Sequence, residues 1–208
     1  MKEKIDGSRR SALHDREIIK SGPIDQPTAQ WEGLFPKNHP LVLLMTGDGK
    51  GKTTAALGVS MRAWGRGWKV AWLQFIKKKD SKYGETLAAQ RMGIDMEALG
   101  DGFTWLSEDI EHDRSLAESA WEQARAVIES EEYDLVVLDE ITYPINYQWL
   151  SIQAVIDVLS NRPKNVDVIL TGRDASEELI EFADTVTEMN EVKHPYQSGI
   201  KAQPGIDY

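Results

Sequence analysis

The stretch TGDGKGKTT at residues 46–54 follows the apolar run LVLLM at 41–45 and precedes a helical pattern. This order matches the phosphate-binding loop G-x-x-x-x-G-K-[ST], with Gly51, Lys52 and Thr53 in its last three positions. Glycines allow successive backbone N–H groups to surround an anion, and the N-terminus of the following helix adds partial positive charge. The stretch therefore predicts a site for nucleotide phosphates.

The loop departs from the pattern at Thr46, which stands where the first glycine is expected. Lys52 would bring a mobile cation to the phosphate oxygens, and the Thr53 hydroxyl would face Mg²⁺. A glycine-rich turn without a ligand is the alternative, but the strand and helix on either side favour a phosphate site. The residues expected to contact nucleotide phosphate or its metal are Gly47, Asp48, Gly49, Lys50, Gly51, Lys52, Thr53 and Thr54.

An acid pair supplies the second half of such a site. The apolar run LVVL is followed directly by Asp139 and Glu140, where a buried strand would emerge at its carboxyl end. Open α/β sheets bind ligands at that edge, and Mg²⁺ prefers oxygen ligands and keeps several waters. Both carboxylates are therefore candidate Mg²⁺ ligands, directly or through water. Glu140 and Arg62 could also serve phosphoryl transfer, so hydrolase and kinase chemistry stay open at this point.

Apolar strand patterns alternate with helical periodicity from residue 41 onward. Strands that are apolar on both faces and separated by helices indicate a parallel sheet covered on both sides. The predicted fold is α/β, a three-layer doubly wound arrangement with a mostly parallel sheet of about six strands, like that of P-loop NTPases. The predicted strands are 41–46, 69–76, 95–99, 133–140, 166–172 and 184–189, and the predicted helices are 52–65, 112–131, 151–160 and 176–183.

Composition narrows the class of protein. The chain has 208 residues, no cysteine and a net charge of −10, of which residues 41–208 carry −11. That balance disfavours a nucleic-acid binder that works through bulk electrostatics. No run approaches the roughly 18 apolar residues of a membrane span, and the N-terminus lacks the apolar core of a signal peptide. We therefore expect a cytoplasmic protein with no membrane or nucleic-acid partner.

Residues 1–40 form a separate region in the sequence, broken by four prolines, before the domain predicted at 41–208. They are interpreted either as a leader or as an arm that docks on this or another subunit. The segment GDGFTWLSED at 100–109 carries Phe103 and Trp105, which could bind a ligand or pack beneath their own loop. The polar tail at 191–208 contains four side chains that suggest anchoring: Tyr196, Ile200, Ile206 and Tyr208.

Eight blocks resemble the ATP:corrinoid adenosyltransferases of the P-loop type, in order over about residues 41–208. They are TGDGKGKTTAALGVSMRAWGRG, VAWLQFIK, GFTW, DLVVLDEITY, NRP, VILTGR, ADTVTEM and VKHPYQSGIKAQPGIDY. The resemblance implies that Co(I) of a reduced corrinoid attacks the 5′-carbon of ATP and that inorganic triphosphate leaves whole. It also implies a nucleotide reversed relative to most P-loop proteins, a homodimer, and a flavin-dependent reductase as partner.

The same resemblance assigns roles to residues of this chain. Gly47 through Lys52 would hold the triphosphate, and Arg62 would contact phosphate. Phe103 and Trp105 would close under the corrinoid and displace its lower axial ligand. Thr53, Glu140 and Asp139 would hold Mg²⁺. An N-terminal helix can cap a neighbouring active site in this family, so residues 1–40 are predicted to do so here. A P-loop ATPase or kinase of similar architecture and a non-catalytic corrinoid or nucleotide carrier are the alternatives.

Overall fold

Six parallel strands form one sheet in the computed structural model, which describes residues 39–78, 83–102 and 110–207. The chain separates into two units, residues 1–37 and 38–208, and every described residue belongs to the second. The strand order across the sheet is β3-β2-β4-β5-β1-β6. The strands are β1 (Val42–Thr46), β2 (Val70–Lys78), β3 (Asp95–Gly100), β4 (Leu135–Asp139), β5 (Asp167–Thr171) and β6 (Thr185–Glu188).

Helices cover both faces of this sheet. Alternate residues of the inner strands point to opposite sides, so each inner strand contributes apolar side chains to the core on both faces. Leu135 and Val137 of β4 join a cluster with Ala56 of the first helix, whereas Val136 and Leu138 join the cluster on the other face. That second cluster contains residues from four helices, α3, α4, α5 and α6. The helices are α1 (Lys52–Gly65), α2 (Gly84–Met92), α3 (Ile110–Glu129), α4 (Thr142–Asn146), α5 (Ile152–Ser160) and α6 (Glu177–Phe182).

The prediction of a doubly wound α/β fold is confirmed, since all five strand pairs are parallel and the crossovers are helical. Each predicted strand and helix is present with shifts of a few residues at its ends. Two helices, α2 and α4, were not predicted. α4 is only five residues long and contains Pro144. Proline is tolerated in the first turn of a helix, where its missing N–H has no intrahelical partner in any case.

Two features of the sheet position the candidate site. β5 lies between β1 and β4, so the carboxyl ends of all three strands meet at one edge, next to that of β2. The loop at 47–51 leaves that edge from β1 and leads directly into α1. Within the described ranges, no helix combines the length and apolar character needed to cross a membrane.

Candidate active site

The phosphate loop approaches the backbone that follows β6. The Gly49 N–H donates to the Met189 carbonyl over 2.6 Å, and the Met189 N–H donates to the Thr46 carbonyl over 2.8 Å. A Cβ at Gly47 would lie 2.5 Å from the Met189 oxygen, and one at Gly49 would lie 2.8 Å from the Asn190 carbonyl carbon. Glycine is therefore required at both positions by close packing of backbone on backbone.

This arrangement changes the explanation of one glycine. The sequence suggests that the loop glycines orient their N–H groups toward an anion, but the Gly49 N–H points to Met189. Gly51 instead has a φ of 117°, in the left-handed region that favours glycine, immediately before α1 begins. The remaining loop N–H groups and the N-terminus of α1 are then the backbone groups available to phosphate.

Thr46 has a structural explanation for replacing the first glycine. It is buried, and its hydroxyl accepts a hydrogen bond from the Ala175 N–H over 3.2 Å. The side chain thus ties the end of β1 to the segment that follows β5. A side chain at this position stabilises the edge of the sheet and does not obstruct the loop.

Lys52 lies under the loop with only 7 % of its surface exposed. Its amine donates to the carbonyl oxygens of Gly47 at 2.6 Å and Gly49 at 2.9 Å. Burial lowers the pKa of Lys52, and the nearby carboxylate of Glu140 opposes that shift. A bound phosphate would compete with the two carbonyls for the amine, and its charge would favour the protonated form.

Asp139 is completely buried and accepts hydrogen bonds from three side chains. Thr53 Oγ1 donates to Oδ1 over 3.0 Å, Thr171 Oγ1 donates to the same oxygen over 2.8 Å, and Gln74 Nε2 donates to Oδ2 over 3.3 Å. A buried carboxylate is tolerated when it is hydrogen-bonded in this way. Sequence reasoning missed Gln74 and Thr171, although both are polar residues within otherwise apolar strand patterns.

Glu140 has the opposite environment, although it is the next residue. Its φ is 64°, its N–H donates to Thr171 Oγ1 over 2.9 Å, and its Oε2 is buried with no hydrogen-bond partner. Burial, with a contribution from the charge of Asp139, raises the pKa of Glu140 to about 7, while Lys52, Lys77 and Arg173 act in the opposite direction. A buried, unpartnered carboxylate oxygen beside a phosphate loop is suited to a metal ion.

The structure brings some of the predicted site residues together and separates others. Lys52, Thr53, Asp139 and Glu140 converge at one edge of the sheet, whereas Thr54 is an exposed residue of α1. Arg62 lies in the last turn of α1. It follows Lys52 by ten residues, about 15 Å along the helix at about 1.5 Å per residue.

The phosphate contact predicted for Arg62 stays a prediction, although the length of α1 disfavours a contact with the loop of its own chain. Arg173, which follows β5 and influences the pKa of both Lys52 and Glu140, lies close to the site. Its position in the quoted VILTGR block was the available sequence signal. Phe103 and Trp105 lie outside the described residues.

A glycine-rich loop that follows a parallel strand, with a lysine beneath it and a threonine hydroxyl bound to a strand-end aspartate, defines the P-loop nucleotide-binding class. The family described as ATP:corrinoid adenosyltransferase BtuR/CobO/CobP matches residues 38–208. The chain belongs to this family.

Individual relatives carry the same description. The corrinoid adenosyltransferase of Escherichia coli K12 is 40% identical over 168 residues, which cover 81% of this chain and 85% of the relative. That of Pseudomonas aeruginosa is 39% identical over 196 residues, covering 93% and 94%. Among solved structures, the flagellar accessory protein FlaH from Methanocaldococcus jannaschii has a TM-score of 0.47 at 10% identity, covering 73% of this chain and 71% of that chain.

Proposed function

We propose that the chain transfers the 5′-deoxyadenosyl group of ATP to the Co(I) ion of a corrinoid and releases inorganic triphosphate. The observation that carries this proposal is family membership across residues 38–208, a range that contains the whole phosphate loop and its acid pair. The contacts of Lys52, Thr53 and Asp139 support it, because they provide a place for a polyphosphate.

The proposed reaction exchanges one bond for another. The electron pair of Co(I) forms a bond to the 5′-carbon, the bond from that carbon to the triphosphate oxygen breaks, and its electrons stay on triphosphate. Cobalt ends formally as Co(III), and the step is balanced because Co(I) supplies both electrons of the new bond. An electron donor must reduce the corrinoid to Co(I) before this step, and we propose a flavin-dependent reductase for that reduction. No proton is removed, so the protein needs no general base. Positioning of the two reactants and stabilisation of the charge on the leaving group would lower the activation barrier.

The phosphate loop would hold the leaving group. In the proposed complex the Lys52 amine turns from the carbonyl oxygens of Gly47 and Gly49 toward triphosphate oxygens. The N-terminus of α1 and the loop N–H groups would share the remaining negative charge. The lysine then favours departure of triphosphate as a unit, because it neutralises charge that develops on the oxygen bound to the ribose carbon.

The acid pair fits Mg²⁺. Thr53 Oγ1 and Glu140 would be the protein ligands, since Oε2 of Glu140 is buried without a partner. Asp139 would hold the Thr53 hydroxyl in place and could meet the ion through water. The described residues contain no cluster of three or more His, Asp or Glu side chains suited to a metal, which agrees with the preference of Mg²⁺ for one or two carboxylates plus waters and phosphates. Bound Mg²⁺ would neutralise charge on the triphosphate.

Phe103 and Trp105 are proposed to remove the lower axial ligand of the corrinoid, as the resemblance of the GFTW segment implies. Apolar side chains suit this role because they exclude water and do not coordinate cobalt. The segment follows β3, which ends at Gly100 on the same edge of the sheet as the phosphate loop. Replacing both aromatics by alanine should leave ATP binding intact and abolish four-coordinate Co(II) in the electronic spectrum. Survival of that signal would refute this assignment.

Further proposals concern assembly. We propose a homodimer in which residues 1–40 of one subunit cap the active site of the other, with residues 41–208 as the catalytic domain. Deleting residues 1–37 and measuring oligomeric state and turnover separately would test both parts, because capping predicts loss of turnover without loss of the dimer.

The central experiment is anaerobic incubation with ATP, Mg²⁺ and a chemically reduced corrinoid. The proposed function predicts a light-sensitive Co–C product and an equal amount of inorganic triphosphate. ADP with phosphate would instead indicate an ATPase or kinase, in which the Glu140 carboxylate beside the phosphate loop orients water or an acceptor. Binding of ATP and corrinoid without turnover would indicate a carrier.

A further inference from the structure

The last described residues of the chain return to the phosphate loop. The amine of Lys50, the exposed lysine of that loop, forms an ion pair with the carboxylate of Asp207. The Lys50 side chain is 48% exposed, whereas that of Asp207 is only 14% exposed. The tail therefore places a partly buried negative charge directly on a loop that is built to receive phosphate.

A local turn fixes the carboxylate in this position. The Gln203 N–H donates to Asp207 Oδ2 over 2.7 Å, and the Asp207 N–H donates back to the Gln203 carbonyl over 2.8 Å. Apolar burial contributes little to this docking, because Tyr196 and Ile206 are each 78% exposed. The turn and the charge of Lys50 thus account for the position of Asp207.

We propose that the Asp207 carboxylate and the polyphosphate of a bound nucleotide compete for Lys50. Two anionic groups that approach one amine repel each other, and each weakens the hold of the other. Asp207 would therefore raise the free energy of polyphosphate in the loop and speed its departure. Free triphosphate carries more negative charge than the triphosphate chain of ATP, so Asp207 weakens binding of the product more than binding of the substrate. This last step rests on the proposed function.

The test is direct binding of ATP and of inorganic triphosphate, in the presence of Mg²⁺ and without corrinoid. Replacing Asp207 by Asn should tighten triphosphate binding about two- to fivefold, which is the effect expected when one competing exposed ion pair is removed. The same substitution should tighten ATP binding less. Raising the salt concentration should reduce the gain by screening. Asp207→Glu keeps the charge and should remain closer to the unmodified protein.

Two controls make the interpretation specific. Glu191→Gln removes the same charge from the tail, but the Glu191 carboxylate contacts Gln197 within the tail itself, so affinity should not change. In a Lys50→Met background the gain from Asp207→Asn should disappear, because the shared amine is gone. An equal gain in both backgrounds would overturn competition for Lys50.

Unchanged or weaker triphosphate binding in Asp207→Asn would overturn the proposal. A chain ending at Ala202 removes the turn entirely and provides a second variant, which should also bind triphosphate more tightly. The binding assays are independent of the reaction products. If turnover yields ADP and phosphate, the proposed adenosyl transfer fails while the competition for Lys50 is still decided by these affinities.

Discussion

Replacing Glu140 by Gln should stabilise the protein in the absence of metal, and the gain should depend on pH. Burial raises the pKa of this carboxyl from 4.5 in the unfolded chain to about 7 in the fold. The folded state thus binds the proton more tightly, so stability is highest at acid pH and falls as the pH rises from about 4.5 to about 7. Gln resembles the protonated acid and avoids this loss.

The magnitude follows from the size of the shift. A change from 4.5 to about 7 corresponds to about 3 kcal/mol at about 1.4 kcal/mol per pKa unit. Water and small side-chain movements relieve part of the burial penalty, so we expect a gain of about 1–3 kcal/mol at about pH 8 and much less at about pH 5. The positive φ of Glu140 is retained in the variant, so backbone strain does not contribute to the difference.

Urea unfolding with a metal chelator, at about pH 5 and about pH 8, measures these free energies of unfolding directly. Glu118→Gln is a matched control, because Glu118 is 58% exposed in an i,i+4 pair with Arg114. Its effect should stay within about 0.5 kcal/mol at both pH values. The reasoning is refuted if Glu140→Gln gains equally at both pH values or loses stability at about pH 8. With Mg²⁺ and ATP the order should reverse, since Gln is a poorer ligand.

Three further substitutions test the loop and its supports. Gly49→Ala should cost about 1–3 kcal/mol of stability and weaken ATP binding, because its Cβ would meet the backbone after β6 at 2.8 Å. The control Gly58→Ala, in open space on α1, should gain about 0.5–1 kcal/mol. Equal effects of the two substitutions in thermal unfolding would contradict the packing explanation. Thr171→Val removes a donor to buried Asp139 and should cost about 1–3 kcal/mol in urea unfolding, so a neutral result would show that this hydrogen bond is dispensable. Lys52→Ala should weaken ATP binding by about 1.5–3 kcal/mol in calorimetry, and unchanged affinity would remove Lys52 from the phosphate site.

Local patterns sufficed to predict most of the fold. β4 is apolar on both faces and therefore had to lie inside a covered sheet, and the apolar face of α3 recurs at helical spacing. The phosphate loop and the acid pair were visible for the same reason, since each depends on residues that are adjacent in sequence. α4 was missed because five residues are too few to show periodicity.

Contacts that depend on strand order could not be predicted. Gln74 and Thr171 reach Asp139 because β2 and β5 flank β4, and the sequence does not reveal which strands are neighbours. The phosphate contact of Arg62 stays a prediction, although helical rise places that residue about 15 Å along α1 from Lys52. In the tail, apolar residues were expected to anchor the chain, but the described ones are exposed and Asp207 makes the contact to the loop.

The strand order has a consequence for how the molecule folds. Among the described strands β1 comes first in the chain, yet its partners in the described sheet are β5 and β6, for example Val42 with Val168. Closing so long a segment slows folding, because chain entropy is lost before the contacts form. The phosphate loop also lacks its neighbour Met189 until most of the chain has been made. Nucleotide should therefore bind only to chains in which synthesis has passed Met189. The loop should be among the last regions to gain protection from hydrogen exchange during refolding.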